Sequence, residues 1–291
     1  MSLAYRKKMD FLPNKQYLHL VFWATLGKKL NLKNPKTFNE KIQWLKLYDH
    51  DPRYTMMADK YLVKQYVASK IGKQYVIPSF GVWDSANEID FDLLPEQFVL
   101  KCNHNSGKGM FICRDKSLIN RERIISDLNE GLKQNYFLQG REWCYKNIPR
   151  KIIAEEYLNN TETDNAELWD YKVMCFNGKV LCSFVCTDRM NGNGLKVTFF
   201  DNEWNVLPFE RHYPKSRKTI LKPNNFEKMK LLAEKLANDI PFVRVDFYEI
   251  NGHIYFGEMT FYPGNGMEEF SPESADYEIG SWLIIPGKKK L

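Results

Sequence analysis

The sequence predicts an α+β fold preceded by a helical N-terminal segment, and three observations carry that expectation. Up to about residue 72, apolar residues recur at helical spacing. Beyond Pro78, short apolar strands alternate with turn residues, interrupted by two further helical stretches. Two Asn-Gly pairs, Asn177-Gly178 and Asn251-Gly252, stand between strands as hairpin turns. Strands mixed with helices in this order suit an α+β architecture.

In the helical segment, Thr37 and Glu40 have capping-box spacing, each satisfying a free backbone donor of the first turn, and Ile42, Trp44 and Leu45 follow as an apolar face. A second helix is expected from about Met56 to Ser69, on the spacing of Leu62, Val63, Tyr66 and Val67, with Gly72 near its end. Later helices are expected around Arg121 to Lys133 and Phe226 to Asn238. The expected strands are Phe98 to Cys102, Met110 to Cys113, Ile152 to Tyr157, Tyr171 to Phe176, Val180 to Thr187, Thr198 to Asp201, Val243 to Ile250 and Ile254 to Phe261.

A chain of 291 residues with 44% hydrophobic residues holds enough apolar material for a core, which excludes disorder as its main state. Its net charge of +6 is spread along the chain and suits an anionic small ligand as well as nucleic acid. No apolar run approaches the roughly 18 to 20 residues that span a bilayer, and the N-terminus lacks the order of a signal peptide, so a cytoplasmic location is expected. The six cysteines include no C-x-x-C pair and fall mostly in apolar strands, which points to buried reduced thiols. Cys102 and His104 lie two apart, but no second Cys/His pair has zinc-site spacing.

The most informative segment is the last hairpin. If Asn251, Gly252 and His253 form a three-residue loop, Ile250 pairs with Ile254, Asp246 falls opposite Glu258, and Arg244 opposite Thr260. The other face then gathers Val243, Val245 and Phe247 against Tyr255, Met259 and Phe261. A two-residue Asn-Gly turn would shift the register by one, place Val245 opposite Glu258 and split the carboxylates between faces, so the hydrophobic pattern selects the longer loop. Two carboxylates directly across a strand pair repel each other by roughly 0.2–1 kcal/mol and call for compensation. Mg²⁺, which takes one or two carboxylates and completes its shell with water and phosphate, would supply it; so would Arg244 in a salt-bridge cluster.

A second feature is strand Phe98 to Cys102, whose Lys101 leads into the polar loop Asn103 to Gly109. Backbone N–H groups of such a loop can approach phosphates while the lysine adds a point charge. The spacing matches neither a P-loop nor a dinucleotide fingerprint, and read alone the loop is a plain hairpin connection. Strand Ile152 to Tyr157 carries Glu155 and Glu156 near its end, and Asp59-Lys60 opens the second expected helix as an ordinary acidic start.

In type, order and spacing these pieces resemble the ATP-grasp superfamily: Asp59-Lys60, Lys101 with its Gly107/Gly109 loop, Glu155-Glu156-Tyr157-Leu158, Arg244-x-Asp246, and Glu258-x-Thr260 followed by Pro263-Gly264. The stretch Asn34 to Trp44, Asp170-Tyr171-Lys172 and Cys175 to Gly178 are similar to the TupA-like branch, associated with teichuronopeptide and surface-polysaccharide synthesis. The resemblance implies two α+β subdomains clasping ATP. These would be residues 73–154, with the phosphate loop, and 155–291, with the metal-binding hairpin, preceded by the helical segment 1–72. It implies that Lys60 and Lys101 contact ATP phosphates while Ser106, Gly107 and Gly109 close over them. Glu155 would accept from the adenine amino group, the Leu158 backbone would read the adenine edge, and Asp170 would hold the ribose, with Glu162 as its rival. Asp246 and Glu258 would bind Mg²⁺. Thr260 departs from the Asn that many members place there, which leaves a weaker third ligand or Asn265 as a substitute.

The implied reaction is carboxylate–amine ligation through an acylphosphate, with magnesium, the lysines and Arg244 stabilising developing charge. The implied partners are a carboxylate-bearing sugar or glycan and an amine, with no nucleic acid. Specificity would come from loops around Asp188 to Lys196 and Glu210 to Lys218, with Asp188, Arg189 and Lys196 as candidate contacts. Three rivals stand beside it: a sugar kinase on the same fold, a glycosyltransferase using Asp90-Phe91-Asp92, and a nucleic-acid binder using the basic run Arg211 to Lys218.

Overall fold

A computed structural model describes residues 9–159, 168–188 and 194–287. The fold is α+β. The N-terminal part is helical, with α1 (Asn14–Leu26), α2 (Phe38–Tyr48), α3 (Arg53–Ala58) and α4 (Val63–Lys70). The Thr37/Glu40 capping box closes α2 as the sequence predicts. The single helix expected from Met56 to Ser69 is instead two. Asp59 ends α3 in an extended conformation, and its Oδ1 accepts from the backbone N–H groups of Tyr61 at 2.8 Å and Leu62 at 3.2 Å. An Asp side chain that captures nearby backbone donors competes with the helical ladder, so the chain breaks there. Lys60 stands in that break.

A four-stranded antiparallel sheet follows, built from β1 (Ser79–Trp83), β2 (Phe98–Cys102), β3 (Met110–Cys113) and β4 (Ile152–Glu156) in the order β1-β4-β2-β3. Strand β1 was not among the expected strands. Helix α5 (Arg121–Leu132) packs Ile124 and Leu128 against Leu100, Cys102, Ile152 and Ala154. By strand alternation, the opposite face of β2 and β4 carries Val99, Lys101, Ile153 and Glu155. Val99 pairs with Glu155 and Lys101 with Ile153, so Lys101 and Glu155 are diagonal neighbours on one face. A short helix, α6 (Tyr136–Gly140), precedes β4.

The larger sheet contains β5 (Asp170–Phe176), β6 (Lys179–Thr187) and β7 (Lys196–Phe200), followed by the short β8 (Glu210–Arg211) and helix α7 (Phe226–Leu236). The final hairpin, β9 (Phe242–Ile250) and β10 (His253–Thr260), completes the sheet in the order β10-β9-β5-β6-β7. Strand β11 (Phe270–Ser271) pairs with β8, and α8 (Ser274–Trp282) closes the described chain. The N-terminal helices share the core of this sheet: the Phe38 ring packs edge-on to Phe242 at 5.1 Å, and Asn39 is tied to Asp276 of α8 by two hydrogen bonds of 3.0 Å.

The hairpin reaches the expected carboxylate pairing by a different route. Its turn has two residues, Asn251 and Gly252, and His253 pairs with Ile250. That register runs as far as Phe256 opposite Phe247, where a bulge at Gly257 adds one residue to β10. Beyond it Glu258 faces Asp246, Met259 faces Val245 and Thr260 faces Arg244. The expected three-residue loop is therefore wrong, and the extra residue is Gly257, four positions beyond His253. A side chain at 257 would press on the Asp246 carbonyl at 3.2 Å, which favours glycine at the bulge.

Candidate active site

On one face of the large sheet the pairings align Glu258, Asp246, Lys172, Phe184 and Phe199 in a row across β10, β9, β5, β6 and β7. Asp246 is 2% exposed and Lys172 6%. Arg244 grips Asp246 with two parallel bonds, Nε to Oδ1 at 2.6 Å and Nη2 to Oδ2 at 2.7 Å, and its Nη2 also reaches Glu258 Oε1 at 2.8 Å. The Lys172 ammonium donates to Asp246 and pairs with Asp170 at 2.5 Å. Thr260 Oγ1 donates to Glu258 Oε1 at 3.3 Å. Arg244 thus offsets the carboxylate repulsion as one of the two expected solutions, joined by Lys172, a residue given no role from the sequence. A lone lysine within the wholly buried strand β5 was the available signal.

Burial opposes charge throughout this cluster, and the neighbours decide the outcome. Burial lifts the Asp246 carboxyl, against the pull of Arg244 and Lys172. Burial works the same way on Glu258, but Arg244, Lys172, Lys60 and Lys101 hold it down at about 2. The Glu258 side chain keeps 42% of its surface exposed and is the accessible edge of the row. Burial would discharge Lys172, yet its carboxylate neighbours raise it.

The small sheet contributes a second charged group. Glu155 is buried and sits between Lys101 and Lys64, the latter at 2.7 Å; burial would raise its carboxyl, but the two ammonium groups lower it. Lys64, from α4, was not anticipated. Lys60 donates to the Asn105 carbonyl at 2.5 Å and is pulled down by burial while Glu258 and Glu155 push it up, so it lies within the fields of both clusters.

The polar loop after β2 is anchored more firmly than a plain turn. Asn103 bonds to the Pro149 carbonyl and receives the Lys151 N–H, both at 2.8 Å, and Asn105 donates to Gln134 Oε1 at 3.1 Å. Residues 106–108 at its tip are exposed. Gly109 has φ +68°, and a Cβ there would stand 2.6 Å from Cys102 Sγ and 3.1 Å from Gly131 Cα.

The structure thus brings together Lys60, Lys101 and Glu155 as one group and Asp170, Arg244, Asp246, Glu258 and Thr260 as another, with Lys60 and Lys101 acting on Glu258. Leu158 is half-buried just past β4. Glu162 and Arg189 lie outside the described residues. Asn265 has its side-chain oxygen engaged by Lys46 of α2. Beside them Glu142, unremarked in the sequence, is buried and pushed up to about 7 against the pull of Lys46.

Among the described residues, no group of three or more His, Cys, Asp and Glu side chains converges to hold a metal. Two carboxylates on neighbouring strands, one of them accessible, would suit a cation that draws its other ligands from water and phosphate, as Mg²⁺ does. Asp90 and Asp92 are accounted for locally: Asp90 Oδ1 accepts the Asp92 N–H at 2.9 Å, and Asp92 pairs with Arg121 at 2.6 Å on the surface. The six cysteines are buried free thiols. No helix among the described residues is long and apolar enough to cross a membrane.

These features belong to the ATP-grasp superfamily. A family model described as TupA-like ATPgrasp matches residues 40–284, and the chain belongs to that family. Among solved structures it is similar to the D-alanine–D-alanine ligase of Bacillus anthracis complexed with ATP, at 14% identity and a TM-score of 0.41, covering 72% of this chain and 55% of that one. It is also similar to the D-alanine–D-alanine ligase of Helicobacter pylori, at 16% and 0.44 over 79% and 62%. A third is the ATP-grasp ligase PsnB complexed with minimal precursor, Mg and ADP, at 10% and 0.40 over 76% and 57%. The chain therefore spans little more than half the length of these ligases. No curated protein matches it in sequence.

Proposed function

We propose that the protein is an ATP- and Mg²⁺-dependent carboxylate–amine ligase that forms an amide through an acylphosphate. Its acceptor is a uronic acid of a surface polysaccharide or its precursor, and its donor is an amino acid or amine. The observation that carries this reading is the aligned row of Glu258, Asp246 and Lys172 with Arg244 beside it, within the field of Lys60 and Lys101. Negative charge builds up on a transferring phosphoryl group, and cations held in place before the reaction stabilise it without reorganising. On this reading Lys60 and Lys101 bind phosphates, the tip from Ser106 through Gly107 to Gly109 closes over them, and Glu155 keeps Lys101 aimed while accepting from the adenine amino group. Leu158 and Asp170 hold the adenine edge and the ribose, and residues 73–154 and 155–291 act as the two subdomains.

Asp246 and Glu258 would hold Mg²⁺, with Thr260 alongside; when bound it screens phosphate charge and polarises the γ-phosphoryl group. The substrate carboxylate attacks the γ-phosphorus and ADP leaves. The amine nitrogen then attacks the acyl carbon, phosphate departs, and the nitrogen loses a proton to solvent. Arg244 stabilises the oxyanion formed at the acyl carbon.

The test is thermal unfolding of wild type and of Asp246→Asn/Glu258→Gln, each with and without Mg-ATP. A ligand at 100 times its dissociation constant stabilises the native state by about 2.7 kcal/mol. The expected result is stabilisation of wild type alone, followed by formation of an amide and free phosphate when uronic acids and amino acids are screened. A phosphate ester as product would mean a kinase instead. Absence of any response to saturating Mg-ATP would remove the nucleotide site.

A further inference from the structure

We infer that Arg211 is a substrate-anchoring residue whose guanidinium takes a carboxylate of the acceptor beside Arg244, an inference that rests on the ligase reading above. Arg211 belongs to β8, which pairs with β11 through Arg211 and Phe270. That ribbon lays it over the site face of the large sheet, its guanidinium 5.0 Å from the Phe184 ring centroid and 5.2 Å from Phe199. Arg244 lies 5.7 Å from the same Phe184 ring. Phe184 directly neighbours Lys172 in the row that leads to Asp246 and Glu258. Two guanidinium groups thus share one aromatic floor next to the reacting end of the site.

Arg211 has fewer acceptors than the other buried arginines, although Arg141 too has an enclosed Nε with none among the described residues. Arg244 makes three hydrogen bonds to two carboxylates, and Arg141 donates to three backbone carbonyls. Arg211 is 6% exposed and carries five N–H donors, yet its enclosed Nε and Nη1 find no acceptor in hydrogen-bonding geometry among the described residues. Among the described residues its ion pair is with Glu268 Oε2, 2.9 Å from Nε. The Glu268 carboxyl lies against Gly264, where a Cβ would meet it at 2.2 Å, so it stands at one edge of the guanidinium. A buried cation held by a single off-axis carboxylate is destabilising in a structural element and useful in a binding site. The planar fork matches the two oxygens of a carboxylate, and the aromatic floor excludes water from the pair.

The test uses the full chain labelled with ¹⁵N-arginine, with sodium acetate replacing sodium chloride at constant ionic strength, then glucuronate compared with glucose. The Arg211 Nε–H signal, assigned by its loss in Arg211→Lys, is expected to shift saturably with acetate and glucuronate and not with chloride or glucose. Arg211→Met is expected to unfold at the same or a higher temperature than wild type without ligand, to keep its full Mg-ATP stabilisation, and to respond to the carboxylates at least about tenfold more weakly. Should that variant fail to fold, Arg211→Lys, which keeps the charge but loses the fork, must show the same weakening. An Arg211 signal indifferent to carboxylate, or a variant that retains the wild-type carboxylate response, would overturn the inference. Loss of the Mg-ATP response in wild type with the acetate response intact would overturn the nucleotide site and leave Arg211 as an anion site.

Discussion

Lys172→Met offers the sharpest test of the charge row. Lys172 is 6% exposed and pairs with Asp170, 6% exposed, and Asp246, 2% exposed, so solvent screening does little to weaken these contacts. Among Asp170, Asp246, Glu258, Arg244 and Lys172 there are three carboxylates and two cations; removing the lysine leaves one cation for three acids. Truncating one partner of a buried ion pair costs about 3–5 kcal/mol, because the uncompensated charge stays buried. At roughly 2–4 °C per kcal/mol for a chain of this size, the apparent Tm should fall by on the order of 10 °C. A scan with and without Mg²⁺ and ATP is the assay. Mg-ATP should recover part of the loss, because the excess negative charge stands where the cation is expected to bind. A variant as stable as wild type would mean that Lys172 does not offset the buried charge of Asp170 and Asp246, and would refute the electrostatic account of the site.

Three further outcomes follow from the same geometry. Deleting Gly257 should remove the bulge yet leave Glu258 opposite Asp246, because the residue after Phe256 then falls opposite Asp246, so stabilisation by Mg-ATP should persist; loss of that response in a folded variant would show that the bulge itself shapes the site. Glu258 is held at about 2, below the unfolded value of 4.5, so its contribution is present above about pH 4.5 and is lost as pH falls toward 2; Glu258→Gln should flatten the dependence of Tm on pH in that window, and parallel curves would contradict the assignment. Gly109→Ala meets Cys102 Sγ and the Gly131 backbone in a positive-φ conformation and should lose about 1–3 kcal/mol in urea unfolding, whereas Gly107→Ala, with nothing within 4 Å, should lose less; equal losses would place the effect in backbone conformation alone.

By itself the sequence determined whatever depends on near neighbours in the chain. The capping box at Thr37 and Glu40, the alternation in β2, β4 and β9, and the Asn-Gly turns are written in spacings of two to four residues, and each appears where those spacings place it. Even the pairing of Asp246 with Glu258 was legible, because burying the apolar face of β9 leaves one register that satisfies it. The turn that delivers the register was misread, since a bulge and a longer loop have the same effect on everything beyond them.

Tertiary structure decided which other charges meet. Lys172 and Asp246 are 74 positions apart and become neighbours because β5 lies beside β9. Lys64 reaches Glu155 because Asp59 breaks the helix and aims α4 at the small sheet. Arg211 reads as the start of a basic run open to nucleic acid until β8 and β11 fold it over Phe184. Local backbone preferences act within a few residues and leave marks in the sequence. The field of a buried charge depends on distance and desolvation, and both exist only once the sheets have brought the strands together.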